Sequence, residues 1–256
     1  MVRHTHSFSG VILLVAALMV VAVPCLAEQE AADPSAESVD LSGSWRETHR
    51  FVDWADMPIF GEQRREITVV MQIEMVQSGS EVLLRSEYCG SSVRTALPGL
   101  TMVFPDALVR SLVAGERHAR LDLSKDSSLV SFEQDWYVEV RGAVLDDPRH
   151  DPLPTSIDDP RVVDQDGDGM PGITIAVDLL GLISAEVYAV QRVRYRLVGW
   201  VEEDGGAVFG RIEWADEQVV LDASSPLLAA GSPGTPVWEE SSFRIERTVG
   251  RHDCGD

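Results

Sequence analysis

Apolar and polar residues alternate with a period of two along much of the chain from residue 41 onward, which is the pattern of half-buried β-strands. In REITVVMQIEMVQSG, one face carries Ile67, Val69, Met71, Ile73 and Met75. The tripeptide SGS closes this run, and EVLLRSEYC follows as a second apolar run that can return beside the first. Together the two runs predict a β-hairpin.

The segment LVSFEQDWYVEVRG alternates in the same way. Val130, Phe132, Trp136, Val138 and Val140 share one face, while the opposite face is mostly charged. We therefore expect the first set to point into the protein core and the second set to point to solvent.

Further strand-like runs are AEVYAVQRVRYRLVGWV, AVFGRIEWADEQVVL and SSFRIERTV, and the turn sequence EEDGG joins the first two. Residues 105–115 are the clearest helical segment, because Pro and Asp suit a helix start and Gly suits its end. The pattern predicts an all-β fold of about eight to ten strands, an antiparallel barrel or sandwich with at most one or two short helices. Residues 41–256 are expected to form this single domain.

A long acidic segment, 146–172, interrupts the strand pattern. Residues 146–168 hold eight Asp and four Pro, and a loop of this length within a compact domain is usually functional or disordered. It ends in DQDGDGMPG, where Asp164, Asp166 and Asp168 occupy alternate positions before Gly169. Alternating carboxylates, with the carbonyl of Met170 next, supply the hard oxygen ligands that Ca²⁺ prefers.

These nine residues resemble the calcium loops of EF-hands, dockerins and thrombospondin type 3 repeats. The position where an EF-hand carries a bidentate Glu is Ile175 here, and the following ITIAV is strand-like, so no helix pair is implied. Asp178, Asp158, Asp159 or water could complete the coordination. We expect a structural Ca²⁺ site that binds weakly, on the order of 10⁻⁴–10⁻³ M.

The chain begins with the pattern of an export signal. Arg3 precedes an apolar stretch of 13 residues, 11–23, which is too short to span a bilayer comfortably, and small residues precede a cut after Ala27. We expect residues 1–27 to be a signal peptide and 28–40 a flexible leader, so that no transmembrane segment remains after cleavage. The mature protein would be periplasmic or secreted, with lipid anchoring at Cys25 as the less favoured alternative.

The net charge indicates which partners are expected, and the cysteines indicate a disulfide. The formal net charge is −21, and loss of Arg3 with the signal leaves 20 basic against 42 acidic residues, or −22. Such acidity argues against nucleic acid as a partner and favours divalent cations. Cys89 and Cys254 remain after cleavage, and in an oxidising compartment an even pair predicts one disulfide.

The first strand begins with Gly43-Ser44-Trp45, which resembles the Gly-x-Trp signature of lipocalins and related calycin barrels. The resemblance implies that Trp45 closes one end of a barrel against an Arg of the last strand, for which Arg244 and Arg247 are the candidates. A disulfide from the tail to an early strand is also common in lipocalins. The alternative is a core Trp in another β domain.

Arg192, Arg194 and Arg196 lie on one face of a predicted strand. If they point inward they form a site for an anionic ligand, such as a fatty-acid carboxylate. If they point outward they pair with acids such as Glu213, and this is the favoured interpretation because buried unpaired charge is costly.

No motif of a hydrolase nucleophile, a metalloprotease or a phosphate loop occurs in the sequence. We therefore expect an exported, calcium-binding β-domain that acts as a binding or structural module, with a small hydrophobic or anionic molecule as its ligand. The alternative is an extracellular hydrolase acting on carbohydrate or ester substrates. Candidate acid pairs for that alternative are Glu133 with Asp135 and Glu213 with Asp216.

Overall fold

The computed structural model describes residues 39–57, 60–112, 115–124, 129–232, 234–248 and 254. The predicted signal peptide, Cys25 and residues 28–38 of the leader lie outside this range. Val39 and Asp40, the last leader residues, are held in place: Gln77 Nε2 donates to the carbonyl of Val39, and Arg247 donates to that of Asp40. No helix in the described part has the length and apolar character needed to cross a membrane.

The described chain is almost entirely antiparallel sheet, as the alternation predicts. The twelve strands are β1 Gly43–Met57, β2 Gly61–Ser78, β3 Glu81–Thr95, β4 Leu100–Val103, β5 Glu116–Asp122, β6 Ser131–Gln134, β7 Tyr137–Arg141, β8 Ile173–Leu179, β9 Ile183–Val201, β10 Ala207–Ala223, β11 Gly234–Pro236 and β12 Ser242–Arg247. One α-helix, α1 Asp106–Ser111, falls inside the predicted helical segment, and Pro226–Leu228 forms a 3₁₀ turn. The described chain has twelve strands where eight to ten were expected. Four of them, β4, β6, β7 and β11, are only 4, 4, 5 and 3 residues long.

Eight of the strands close into a ring. The order is β1, β2, β3, β5, β6, β9, β10 and β12, and β12 pairs back onto β1. Ring neighbours are also close neighbours in the chain, so the fold is barrel-like with an up-and-down order. The predicted hairpins β2–β3 and β9–β10 are both present, with Gly79 and Gly205 at positive φ in their turns.

Between β3 and β9, the strands are connected by two separate sets of pairings. The first residues of β3 pair with β5, whereas Val93 and Arg94 near its end pair with β4, which leads through β8 to β9. Among the described strands, β7 pairs only with β9. It lies along β9 between the part that pairs with β6 and the part that pairs with β8. A gap in backbone pairing therefore separates β7 from the middle of β3, and α1 contacts β3 at this place.

Two hydrophobic clusters fill opposite ends of the interior. The larger contains Trp45, Met71, Phe132 and Leu197, and the smaller contains Ile173, Val187 and Leu228 among its buried residues. The alternation predicted for β2 is confirmed, since Val69, Met71, Ile73 and Met75 are buried.

The predicted facing of residues 129–142 is wrong in its second half. Phe132 points inward as expected, but Asp135 and Trp136 lie outside the strand ladders and shift the alternation by one residue. Tyr137, Glu139 and Arg141 therefore face the interior, and Trp136 and Val138 lie on the outer surface.

The Cys89–Cys254 disulfide is present, with a Cα–Cα distance of 4.6 Å across 165 residues of sequence. Cys89 is the extra residue of an irregularity in the β2–β3 pairing, between the partners Val70–Gly90 and Met71–Tyr88. The bond ties the chain end to the middle of β3, beside the gap.

We expect a Cys89→Ser/Cys254→Ser double variant to unfold with a free energy lower by about 2–4 kcal/mol, because the open unfolded chain gains entropy. Urea unfolding of the oxidised protein and the variant measures this difference, and reduced wild type is the matched control. Equal stability of all three forms would show that the bond does not restrain the unfolded chain.

Candidate functional site

The interior between the two apolar clusters is charged, because β1 alternates apolar and ionisable side chains on its inward face. Glu47 and Asp53 are fully buried and His49 is 1% exposed. Burying an unpaired charge is costly, so each of these groups needs a partner inside the ring. The partners come from strands that are distant in the sequence.

Glu47 is held by Arg117 of β5, which reaches across the interior. The guanidinium donates to both carboxylate oxygens and, at 2.8 Å, to Gln134 Oε1. His49 Nε2 lies 2.7 Å from the same carboxylate. Burial opposes ionisation, but the charges of Arg117 and His49 outweigh it and lower the pKa of Glu47 to about 2. The pair is therefore ionised at neutral pH.

Two further ion pairs lie deeper along the ring. Arg65 donates two bonds to Asp53, at 3.0 and 2.5 Å, and both side chains are buried. On β7, Arg141 pairs with Glu139. Tyr88 of β3 donates its hydroxyl to Glu139 and so bridges the gap between β3 and β7.

Asp216 of β10 is the exception in this region. Its Oδ1 is buried and accepts no hydrogen bond within the described part of the protein. Burial raises the pKa of Asp216 to about 6, although Arg65, Arg141 and a hydrogen bond with Gln191 act in the opposite direction. Both neighbouring arginines are already paired with Asp53 and Glu139, so Asp216 is the carboxyl in excess.

A cavity of about 60 Å³ lies among these groups, under α1 at the gap. Its polar wall includes Tyr88, Glu139, Arg141, Gln191 and Asp216, and its apolar wall includes Phe51, Val69, Leu108, Leu112 and Trp214. Only Leu108 of α1 is buried, and the helix start has no side-chain cap. The helix therefore packs on the ring mainly through one side chain.

The acidic turn brings Asp164, Asp166 and Asp168 together, with one oxygen of each within 4.8 Å of the others. The backbone amides of Gly167 and Gly169 donate to Asp164 at 2.8 and 2.9 Å, which closes the turn. Asp168 accepts from the amide of Met170 and from Thr174 Oγ1, at 2.8 and 2.5 Å.

Asp166 is the carboxylate of the turn that has an oxygen without a hydrogen-bond partner in the described chain. Its Oδ2 accepts from the amide of Thr174 at 2.9 Å, but its buried Oδ1 has no partner in the described chain. Burial, with repulsion from Asp168 and Asp164, raises the pKa of Asp166.

The structure does not bring Asp178 to this turn. Asp178 pairs with Thr101 and Ser184 near the end of β8, and its carboxylate accepts from the amide of Gly181. Asp159 is bound by its own neighbour Arg161, which lowers the pKa of Asp159 to about 2. Neither carboxylate is placed to complete a coordination shell at the turn.

The lipocalin-type contact expected from Gly-x-Trp has a counterpart in the structure. Trp45 is fully buried, and the guanidinium carbon of Arg247 lies 4.3 Å from the centre of its ring. Arg247 also donates to the carbonyls of Ser42 and Asp40, so it covers the ring opening at this end. Arg244 points to the surface and pairs with Glu202 and Glu246.

The three arginines of β9 lie on the outer face, because Val193, Tyr195 and Leu197 alternate with them and face inward. Arg196 pairs with Glu213 at 2.6 Å, as the favoured interpretation predicts. Arg192 is largely covered by the acidic segment, whereas Arg194 is exposed.

Comparison with known protein families, with curated proteins and with solved structures finds no match to this chain. The site must therefore be interpreted from its own geometry.

The charged interior was not predicted from the sequence. The signal was present in β1, where Trp45, Glu47, His49, Phe51 and Asp53 occupy alternate positions and so must share one face. The partners Arg117, Arg65 and Arg141 carry no comparable signal, since an inward Arg on a strand looks like any other polar position.

We expect Asp216→Asn to change how stability depends on pH. A carboxyl with a raised pKa favours the fold while protonated, below about pH 4, and this contribution is lost as pH rises through about 6. The Asn variant lacks this loss, so it should exceed wild type by on the order of 1–3 kcal/mol at pH 7.5, and by much less at pH 4. Urea unfolding between pH 4 and 7.5 measures the difference in stability between the variant and wild type. A difference that does not change with pH would contradict the prediction.

Proposed function

We propose that the protein is an exported binding module that holds a small amphipathic molecule inside its ring of strands. The observation that carries this proposal is the interior cavity lined by Asp216, whose buried Oδ1 has no hydrogen-bond partner among the described residues. An apolar wall favours an apolar body on the ligand, and the excess carboxyl favours a head group that donates hydrogen bonds. A primary amine satisfies both requirements and supplies the missing positive charge.

The size of the ligand follows from the cavity. A volume of about 60 Å³ accepts only a few water-sized molecules, so a ligand with a ring requires α1 to shift. The loose attachment of α1 through Leu108 supports such an opening movement. The gap between β3 and β7 lies directly below the helix and provides the entrance.

The architecture also supports a calycin-like assignment of the fold. Three features agree with this assignment. The eight ring strands follow chain order, the first strand begins with Gly43-Ser44-Trp45, and the guanidinium of Arg247 lies over the Trp45 ring. Calycin barrels take small apolar ligands in their interior, which is consistent with the proposed site.

Hydrolysis receives less support than binding. Glu213 bonds to Arg196 and Arg211 on the outer face of β10, whereas Asp216 lines the cavity, so these two carboxyls cannot act on one substrate. Glu133 and Asp135 are both exposed. Glu139, the other carboxyl in the cavity wall, is already bound to Arg141 and Tyr88.

We propose in addition that the acidic turn binds Ca²⁺ as a structural ion. Three carboxylates with no basic side chain among them repel one another, and the free Oδ1 of Asp166 offers a ligand atom. Bound Ca²⁺ would stabilise the long segment that covers part of β9. Its effect would be stabilisation by mass action, without a role in chemistry.

Benzylamine and benzyl alcohol test the cavity. At pH 7.5 both should bind, with benzylamine about tenfold tighter because its ammonium group meets the ionised Asp216. Asp216→Asn should remove the preference for the amine without preventing the alcohol from binding. Isothermal titration calorimetry measures both affinities, and intrinsic tryptophan fluorescence gives a second signal.

A cavity-filling variant, Leu108→Phe, should weaken both probes, while Leu182→Phe, at a residue 83% exposed, is the matched control and should change neither. Failure of both probes to bind wild type, or binding unaffected by Leu108→Phe and Asp216→Asn, would overturn the proposed site.

Ca²⁺ should raise the melting temperature by about 3–6 °C when present at about ten times its dissociation constant, and EGTA should reverse this. Asp166→Asn should abolish the response, because it removes the carboxylate with the free oxygen. Asp146→Asn, at an exposed acid of the same segment that is not a candidate ligand, is the control and should retain it. Calorimetry that detects no binding heat together with an unchanged melting curve would disprove the calcium proposal.

A further inference from the structure

A groove of about 460 Å³ lies on the outer surface of β7, β9 and β10, on the opposite side of the sheet from the cavity. Its volume falls within the range of about 300–1,000 Å³ that is typical of small-molecule sites. Trp136 and Trp238 contribute aromatic walls, and Arg149, Arg192 and Arg194 contribute positive charge. The acidic segment forms one rim through Arg149 and His150.

The aromatic side chains are held in fixed positions. Trp238 is 42% exposed, and its Nε1 donates to the carbonyl of Trp214 at 2.8 Å, which fixes the plane of the ring while part of it stays open to solvent. Trp136 carries the guanidinium of Arg196 at 5.5 Å from its ring centre. Exposed, orientated indole faces are suited to stacking on the apolar face of a ring-shaped ligand.

Two arginines of the groove, Arg194 and Arg192, differ in how accessible they are to a ligand. Arg194 is exposed and has no acidic partner among the described residues. Arg192 has a side chain only 10% exposed; it donates to the carbonyls of Arg149 and Asp151, and Glu217 lies 3.7 Å away. Its buried Nε has no partner in the described protein.

Arg194, without an acidic partner among the described residues, contrasts with Arg196, Arg211 and Arg244, which are paired with acids in a chain of net charge −21. The exposed guanidinium of Arg194 beside aromatic faces fits a ligand that carries a carboxylate on a saturated ring. A long polyanion such as nucleic acid would meet the acidic remainder of the surface and be repelled. A short acidic sugar would not extend beyond the groove.

We propose that this groove binds an acidic oligosaccharide, with a uronate carboxylate on Arg194 and the sugar ring against Trp238. The site lies outside the cavity and does not depend on the function proposed for it. Arg194 supplies the exposed contact with the carboxylate, and Trp238 supplies the stacking surface.

Trigalacturonate and the neutral trisaccharide maltotriose are the probes, and isothermal titration calorimetry with tryptophan fluorescence is the measurement. Trigalacturonate should bind at least about tenfold tighter than maltotriose, and raising NaCl from about 20 to about 200 mM should weaken it, since screening acts on exposed charges. Arg194→Gln and Trp238→Ala should each weaken trigalacturonate by about tenfold. Arg194→Lys should restore only part of the loss, because an ammonium group cannot form the bidentate pair.

Matched controls lie outside the groove. Trp200→Ala removes a Trp that is also 42% exposed, and Arg244→Gln removes an exposed Arg paired with Glu202, so both should leave the affinity unchanged. Equal affinity for the acidic and neutral sugars, no binding of trigalacturonate at millimolar concentration, or an unchanged affinity in Arg194→Gln would each overturn the proposal. Arg194 is exposed, so its replacement keeps the test valid even if Trp238→Ala fails to fold.

Discussion

The buried ion pair between Glu47 and Arg117 is the interaction on which the interior depends. It joins β1 to β5 through the middle of the ring, and both side chains are almost completely removed from solvent. Breaking such a pair by removing one partner typically costs about 3–5 kcal/mol, since the remaining charge is buried without compensation. The surrounding Ser86, Gln134 and His49 satisfy the remaining hydrogen-bonding groups, which is what makes a charged interior tolerable.

A charged band between two apolar clusters explains why the ring contains a cavity at all. Ion pairs hold their side chains at fixed distances, so they cannot collapse to fill space as Leu or Met would. The gap between β3 and β7 adds to this, because among the described residues it is spanned by Tyr88 and covered by α1. A polar, partly open interior is a disadvantage for stability.

The groove and the acidic segment lie on the outer face of the sheet whose inner face lines the cavity. Strand β9 presents Tyr195 to the interior and Arg194 and Arg196 to the surface, so one strand supplies both the cavity and the groove. The acidic segment packs on this outer face through a small apolar cluster of Leu145, Leu153 and Val190. It carries a rim of the groove near its start, at Arg149 and His150, and the candidate calcium turn at its end, which links two of the proposed sites to one ordered segment.

The sequence by itself determined the all-β class, the hairpins β2–β3 and β9–β10, the short helix, the disulfide and the compact aspartate turn. Each of these follows from neighbouring residues, or from two cysteines in one compartment, so local spacing is sufficient. The face of β7 could not be determined in this way, because two residues outside the ladder at Asp135 and Trp136 shift the alternation by one. The partners of Glu47, Asp53 and Glu139, and the isolation of Asp216, were decided only by tertiary structure, since ring closure brings together strands that lie far apart in the chain.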